Sequence, residues 1–340
     1  MRAAILGAGS LGTGMGAMIA NAGGDITLID AYREHVSALN QKGASALGTL
    51  NLHNVPVKAC LLEQVEGIFD IVIYLGKGPN NDTYLPAILP HISEHSAFCV
   101  LQNGLPDDAV AKYIGWERMI GGFVLWGASL KGPGITEITA KPEKIIYEIG
   151  EYSGEITPRL LQVQQLLSQG ASCVLSDSVN SVRWTKLMIN APMSGMSAVL
   201  GCTYGDLLDN RAMLECVAHL KDEVAKVAHA CGVKLSVFDG LDFDDFQLRN
   251  GSDSDLNRVM DMAYSYYDKG HRKVIASMLF DLRLGRKTEI NTINGAVCDR
   301  AREHGVPTPY NDLVTEIVCE CEQSGATPNL ENLSRFLSLR

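Results

Sequence analysis

Two stretches of the chain carry residue types whose spacing could do chemistry. In the run from Arg183 to Ser194, Lys186, Asn190 and Ser194 recur at every fourth residue, which puts an ammonium, an amide and a hydroxyl on one face of a helix. An ammonium beside a carbonyl oxygen can stabilise the charge that develops there on reduction and deliver a proton. Pro192 cannot donate to the carbonyl of Met188, so a kink is expected close to this stripe. On spacing alone, an ordinary exposed lysine is the commoner explanation of the pattern. The second stretch is Ser277 to Ile290. There Thr288 can cap a following helix and place Glu289 in its first turn, where the helix dipole favours a carboxylate. A merely helix-stabilising acid is the other reading of Glu289.

A third pattern lies at the N-terminus. The apolar residues 2–6 run into Gly7-Ala8-Gly9-Ser10-Leu11-Gly12, a small-residue helix follows to Ala22, and Ile26-Thr27-Leu28-Ile29-Asp30 reads as a second strand. Strand, glycine turn, helix and strand ending in an acid within some 30 residues form a dinucleotide-binding unit. Gly7 permits the tight turn, Gly9 lets backbone approach a pyrophosphate, and Gly12 lets helix and strand pack closely. Asp30 suits the two ribose hydroxyls of NAD and repels the 2′-phosphate of NADP. A role for Asp30 as N-cap of a helix starting at Ala31 is compatible with NAD binding.

Elements must place these groups. Apolar strands at 70–75 and 97–101 end in the polar loops Gly76 to Asn81 and Gln102-Asn103-Gly104, the loops where an open α/β sheet binds ligands. Residues 121–150 also read as strands, turning at Gly132-Pro133-Gly134. Beyond residue 178 the period changes to 3.6, with helices expected at 179–200, 211–231, 254–284, 289–304 and 309–322. The chain therefore reads as α/β, with a nucleotide-binding domain over 1–178 and an all-helical substrate and catalytic domain over 179–340.

The 340 residues carry a net charge of −10 and no basic cluster, which argues against a nucleic-acid partner. No apolar run reaches membrane-spanning length, and the N-terminus shows no secretory pattern, so a cytoplasmic protein is expected. Nine scattered cysteines without a Cys-x-x-Cys pair point to neither disulfides nor zinc. The aspartate-rich stretch 236–261 lacks the glycine and closing glutamate of a calcium loop, so no metal is expected there.

Taken in order, the glycine loop, Leu101 to Gly104, Trp184-x-Lys186-Leu187-x-x-Asn190, Tyr204-Gly205-Asp206-Leu207, Ser277-Met278-Leu279 and Thr288-Glu289-Ile290-x-x-Ile293-Asn294-Gly295 resemble the ketopantoate reductase family over nearly the whole chain. The resemblance implies a Rossmann domain for the nicotinamide cofactor, a helical domain, and reduction of a 2-oxo acid in the cleft between them. It implies Lys186 as general acid and base and Glu289 as an active-site carboxylate. Gly7, Ala8, Gly9, Ser10, Leu11, Gly12, Asp30, Lys77 and Asn103 would serve the cofactor. Asn103, Lys186, Asn190, Ser194, Tyr204 and Ser277 would serve the substrate. Ordinary lysine pKa values lie near 10.4, so Lys186 needs burial or a cationic nicotinamide to work near neutrality; Glu289 is expected to oppose that shift while fixing the ammonium in place.

Ser194 and Tyr204 stand where the family has two asparagines lining the substrate pocket, and Asp30 with Ala31 and Tyr32 stands where NADP-dependent members have an arginine. NAD is therefore the expected cofactor, with NADP as the alternative, and a 2-oxo or 2-hydroxy acid whose far end suits an aromatic wall is the expected substrate. The alternatives are an authentic ketopantoate reductase of pantothenate biosynthesis, a β-hydroxyacid dehydrogenase and a non-enzymatic dinucleotide sensor; a homodimer is left open.

Overall fold

The structure is a computed structural model and describes residues 1–339. The chain divides into two compact units, one of Met1–Gln102 with Pro106–Val182, the other of Asn103–Leu105 with the residues from Arg183 onward. The division falls four residues beyond the boundary expected after residue 178, and the short segment 103–105 goes with the second unit.

In the first unit the strands are β1 (Ala3–Leu6), β2 (Ile26–Asp30), β3 (Ala44–Gly48), β4 (Leu52–Val55), β5 (Lys58–Leu61), β6 (Phe69–Tyr74), β7 (Ile92–Val100), β8 (Met119–Val124), β9 (Ala128–Gly132), β10 (Ile135–Ile138), β11 (Ile146–Glu151) and β12 (Ser172–Leu175). Eight of them make one sheet in the order β12-β11-β8-β7-β6-β1-β2-β5. The block from β8 to β5 is parallel, and β11 with β12 runs against it. Its strands are apolar on both faces because helices cover both, the pattern seen in Ala-Ala-Ile-Leu of β1. The helices are α1 (Ser10–Asn21), α2 (Arg33–Lys42), α3 (Asn81–Ile88), α4 (Asp107–Ile114) and α5 (Pro158–Ser168). The four remaining strands form a second sheet, β4-β3-β10-β9, beside α1.

The second unit begins its helices within α6 (Val179–Leu200) and continues with α7 (Tyr204–Asp209), α8 (Arg211–Ala230), α9 (Asp253–Asp268), α10 (Ser277–Arg283), α11 (Asn294–His304), α12 (Pro309–Ser324) and α13 (Leu333–Leu337). It is helical apart from a two-residue ribbon pairing Val237–Phe238 with Leu241–Asp242. The helix expected over 254–284 is two, because Gly270 takes a φ of +145° and the chain turns through 269–276. In the aspartate-rich stretch Asp239, Asp242, Asp253 and Asp261 are exposed and Asp244 and Asp245 half-buried, while Asp255 is buried, accepts from Asn250 N–H and pairs with Arg258 at 2.7 Å. No helix among the described residues is long and apolar enough to cross a membrane, and no cluster of His, Cys, Asp or Glu is arranged to hold a metal ion.

Candidate active site

The glycine loop of the first unit is built by close approach. Gly7 has a φ of +90°, and a Cβ there would stand 2.4 Å from the amide nitrogen of Gly76, so only glycine fits. A Cβ on Gly12 would lie 2.5 Å from the carbonyl oxygen of Gly7. At Gly9 the same position is open, and no side chain caps the N-terminus of α1, which leaves space and helix dipole for a phosphate. From beneath, Ala8 O accepts from Thr13 Oγ1 at 2.8 Å and from His35 Nε2 at 2.8 Å. Gly134 N–H donates to His35 Nδ1 at 3.0 Å, which assigns the ring proton to Nε2. Burial holds the His35 pKa below its ordinary value, so the ring is neutral and its tautomer set by these two bonds.

Asp30 ends β2, nearly buried, with its carboxylate accepting Tyr32 N–H at 2.9 Å. It does not start a helix at Ala31; α2 begins at Arg33, and Asp30 makes a local turn in its place. The hydroxyl of Tyr84 takes Ala31 N–H at 3.2 Å. Arg33, the nearest cation in sequence, is paired with Glu63 at 2.9 Å. Lys77 opens the turn after β6. That loop is braced by Gln102, which donates to the carbonyl of Gly76 and to Asn81 Oδ1, and by Tyr74, whose hydroxyl reaches Asn81 at 2.6 Å. Together the loop, the uncapped helix end and Asp30 fit a dinucleotide.

In the second unit, α6 carries Lys186, Asn190 and Ser194 as the spacing requires. Lys186 keeps part of its surface open, yet burial of the ammonium brings its pKa down to about 8. Ser194 Oγ donates to Asn190 Oδ1 at 2.5 Å. Its one proton is thus committed, and the contact with Tyr204 at 2.9 Å is a donation from the tyrosine hydroxyl. The relay from Tyr204 through Ser194 to Asn190 leaves the Asn190 NH₂ free to turn to a ligand. The Tyr204 ring is buried edge-on against Tyr267, centroids 6.1 Å apart.

Asn103 donates to Glu289 Oε2 at 3.3 Å, although 186 residues separate them. Gly104 makes this contact sterically feasible: its φ is +77°, and a Cβ would stand 1.8 Å from the carbonyl oxygen of Thr292. Leu105 N–H donates to that oxygen at 2.8 Å. The helix expected from 289 starts at Asn294, and Thr288 does not cap it. Thr288 Oγ1 instead accepts Ile290 N–H, and residues 289–293 form a turn around the Glu289 carbonyl. Burial alone lowers the Lys186 pKa, and Glu289 accepts from Asn103. Ser277 is exposed at the first position of α10.

Other side chains at these places lack a motif of their own. Burial lowers the His271 pKa, and the charge of Lys186 adds to that in the same direction. Tyr267 and Lys221 sit behind α6. Only Lys221 left a trace in sequence, as a lysine in the apolar stripe Val217, Lys221, Val224, Ala228 of α8.

Models of the ketopantoate reductase PanE/ApbA family match residues 3–154, and models of its C-terminal domain match residues 178–322. The chain belongs to the ketopantoate reductase family. Among its relatives are 2-dehydropantoate 2-reductases of Lactococcus lactis, 26% identical over 95% of this chain and 98% of that one, and of Pyrococcus horikoshii, 28% identical over 96% and 99%. A solved ternary structure of D-mandelate dehydrogenase with NADH and anilino(oxo)acetate superposes with a TM-score of 0.80 at 25% identity, covering 96% of this chain and 99% of that one. A PanE/ApbA family ketopantoate reductase from Ralstonia eutropha shares the fold at a TM-score of 0.80 and 24% identity, over 96% and 99%. The ketopantoate reductase family member described here is thus a nicotinamide-dependent oxidoreductase acting on the carbonyl/CH–OH couple.

Proposed function

We propose that this family member is an NADH-linked reductase of 2-oxo acids that carry a bulky, aromatic far end, with Lys186 as the general acid. The observation that carries the reading is the relay Tyr204–Ser194–Asn190 beside a desolvated Lys186. A pKa of about 8 leaves the ammonium charged at neutral pH and ready to give up its proton. It would bond the 2-oxo oxygen, stabilise the charge developing there and protonate it. The Asn190 NH₂ would orient the oxo acid, with Ser277 at its carboxylate. Asn103, held by Glu289, would bond at the boundary of cofactor and substrate. Bound nicotinamide supplies the hydride; Gly7 to Gly12, Asp30 and Lys77 are the residues that would hold the dinucleotide.

The far end of the pocket distinguishes this chain. Because the Tyr204 proton is committed to Ser194, Tyr204 has no proton to donate to a distal substrate hydroxyl, and its ring would offer apolar surface. A site without donors for a hydroxyl selects weakly for it. The likeness to a D-mandelate dehydrogenase solved with an aryl-bearing oxoacetate supports this reading. Asp30, with Arg33 tied to Glu63, favours NADH over NADPH.

The test is NADH oxidation against a panel of aliphatic and aryl 2-oxo acids that includes ketopantoate, repeated with NADPH. Turnover of aryl substrates at kcat/KM values above about 10⁴ M⁻¹s⁻¹ with NADH supports the reading. Such a value on ketopantoate and a much lower one on aryl acids would instead make this an ordinary ketopantoate reductase.

A further inference from the structure

Behind the face of α6 that carries Lys186 lies a second lysine. Lys221 of α8 is fully buried. Its ammonium meets no carboxylate among the described residues; it lies 4.1 Å from the ring centroid of Phe246, 5.2 Å from that of Tyr267 and 5.8 Å from that of Phe243. Cation–π contacts offset part of its desolvation, but an unpaired buried ammonium remains costly, and an apolar side chain of the same length would fill this cage more cheaply. Its hydrogen bonds show what it holds. Lys221 Nζ donates to the carbonyl of Met188 at 3.1 Å and to the Tyr267 hydroxyl at 3.4 Å, and Tyr267 in turn donates to the carbonyl of Ile189 at 2.7 Å.

Met188 is the residue four before Pro192. In a helix its carbonyl would accept the N–H of residue 192, and proline has none. Yet α6 runs through Pro192 as one helix from Val179 to Leu200. Buried carbonyls need a donor, and here one comes from a different helix. A third tie follows one turn on, where Asn294 Nδ2 donates to the carbonyl of Ala191 at 3.2 Å. Asn294 is held by Asn311, and Asn311 by Glu223 of α8. The stretch of α6 between Lys186 and Ser194 is therefore fastened on its back by side chains of α8, α9 and α11, while its front carries the proposed proton donor and substrate amide.

We infer that Lys221 is a positioning residue: it ties off the Met188 carbonyl that Pro192 leaves without a helical donor, and so sets Lys186 and Asn190 in register with Ser194 and Tyr204. The inference rests on the reading of Lys186 as general acid for its effect on turnover, but not for the tie itself. Tyr267 links the two sides, since it accepts from Lys221 and packs its ring on Tyr204.

The experiment is a double-mutant cycle on the full-length enzyme with Lys221→Met, Lys221→Gln, Pro192→Ala and the pair Pro192→Ala/Lys221→Met. Methionine fills the cage without a donor; glutamine keeps a donor without a charge; alanine at 192 restores the helix's own N–H. The K221M variant is expected to lose at least about tenfold in kcat with a 2-oxo acid, as misplacement of a reacting group does, while its KM for NADH stays within about twofold. K221Q should recover most of that loss. In the Pro192→Ala background the same K221M change should cost less than about threefold, and its Tm penalty should shrink in parallel, since linked sites are not additive. Wild-type turnover in K221M, or equal losses with and without Pro192, would overturn the inference. If K221M alone does not fold, the cycle is read on folding: P192A/K221M folds if the tie is the reason and stays unfolded if it is not. Full activity in Lys186→Ala would sink the general-acid reading, while the coupling in Tm between 192 and 221 would still decide the role of Lys221.

Discussion

A lysine in water is almost wholly protonated near neutral pH, and burial of Lys186 brings its pKa to about 8 because the charged form loses hydration. The sign follows from the direction of reaction. With Lys186 as the proposed general acid, reduction of the oxo acid would consume the ammonium proton, so kcat/KM for reduction should be level below pH 8 and fall roughly tenfold per unit above it. Oxidation of the 2-hydroxy acid needs the free amine and should rise through the same pH. His271, the titratable neighbour that senses Lys186, has its pKa lowered and is uncharged across that alkaline limb. Initial rates in both directions from pH 6 to 10 check this; a reduction profile without a limb near 8 would remove Lys186 from the role. Asp30 carries the second expectation at this scale: kcat/KM with NADH should exceed that with NADPH by at least about tenfold, a step of roughly 1.4 kcal/mol.

At the scale of elements, two contacts lock loops that have little structure of their own. The segment 103–105 docks on the turn at 289–293 through Gly104, whose left-handed backbone leaves no place for a side chain, since a Cβ there would collide with the Thr292 carbonyl oxygen. Gly104→Ala should therefore lower stability by more than about 1 kcal/mol in urea unfolding, and kcat should drop as Asn103 leaves Glu289. Equal stability of the variant would show that the turn yields. The glycine loop is locked from below by His35, which joins Ala8 to Gly134. His35→Ala removes a buried donor and a buried acceptor at once, and the Kd for NADH, followed by fluorescence titration, should rise about tenfold with little change in KM for the oxo acid.

For the whole molecule, the candidate groups segregate by unit. All the residues read as cofactor ligands except Asn103 lie in the first unit, and Lys186, Asn190, Ser194, Tyr204, Ser277 and Glu289 lie in the second. Lys186→Ala is thus expected to lower kcat by about 10²–10⁴-fold while calorimetry finds its affinity for NADH within about twofold of wild type. A large loss of NADH affinity would mean that Lys186 serves the cofactor and not the proton. Family membership covers both units, so the nicotinamide chemistry belongs to the whole chain, whereas the proposed preference for aryl substrates rests on the few side chains around Tyr204.

Local sequence determined the parts of this protein that depend on periodicity and on neighbours in the chain. The glycine turn, the acid ending β2, the 22 residues of α6 and the stripe Lys186–Asn190–Ser194 all follow from spacings of one to four residues, because helix and strand repeat at those intervals. What spans distance in sequence was decided by the tertiary structure. Thr288 has the type of a helix cap, yet its N–H and hydroxyl both go to Glu322, residues 103–105 dock on the following turn at Thr292, and the helix starts at Asn294. The direction of the Tyr204–Ser194–Asn190 relay depends on α7 meeting α6, and the neutral tautomer of His35 depends on the β9–β10 turn reaching α2. Lys221 is the clearest case. Its place in an apolar stripe marks it as odd, but the reason for a buried ammonium appears only when folding brings it to the carbonyl that a proline 29 residues earlier has left without a donor. A hydrogen bond between helices is invisible to any local pattern, since burial makes it obligatory and only packing chooses the partner.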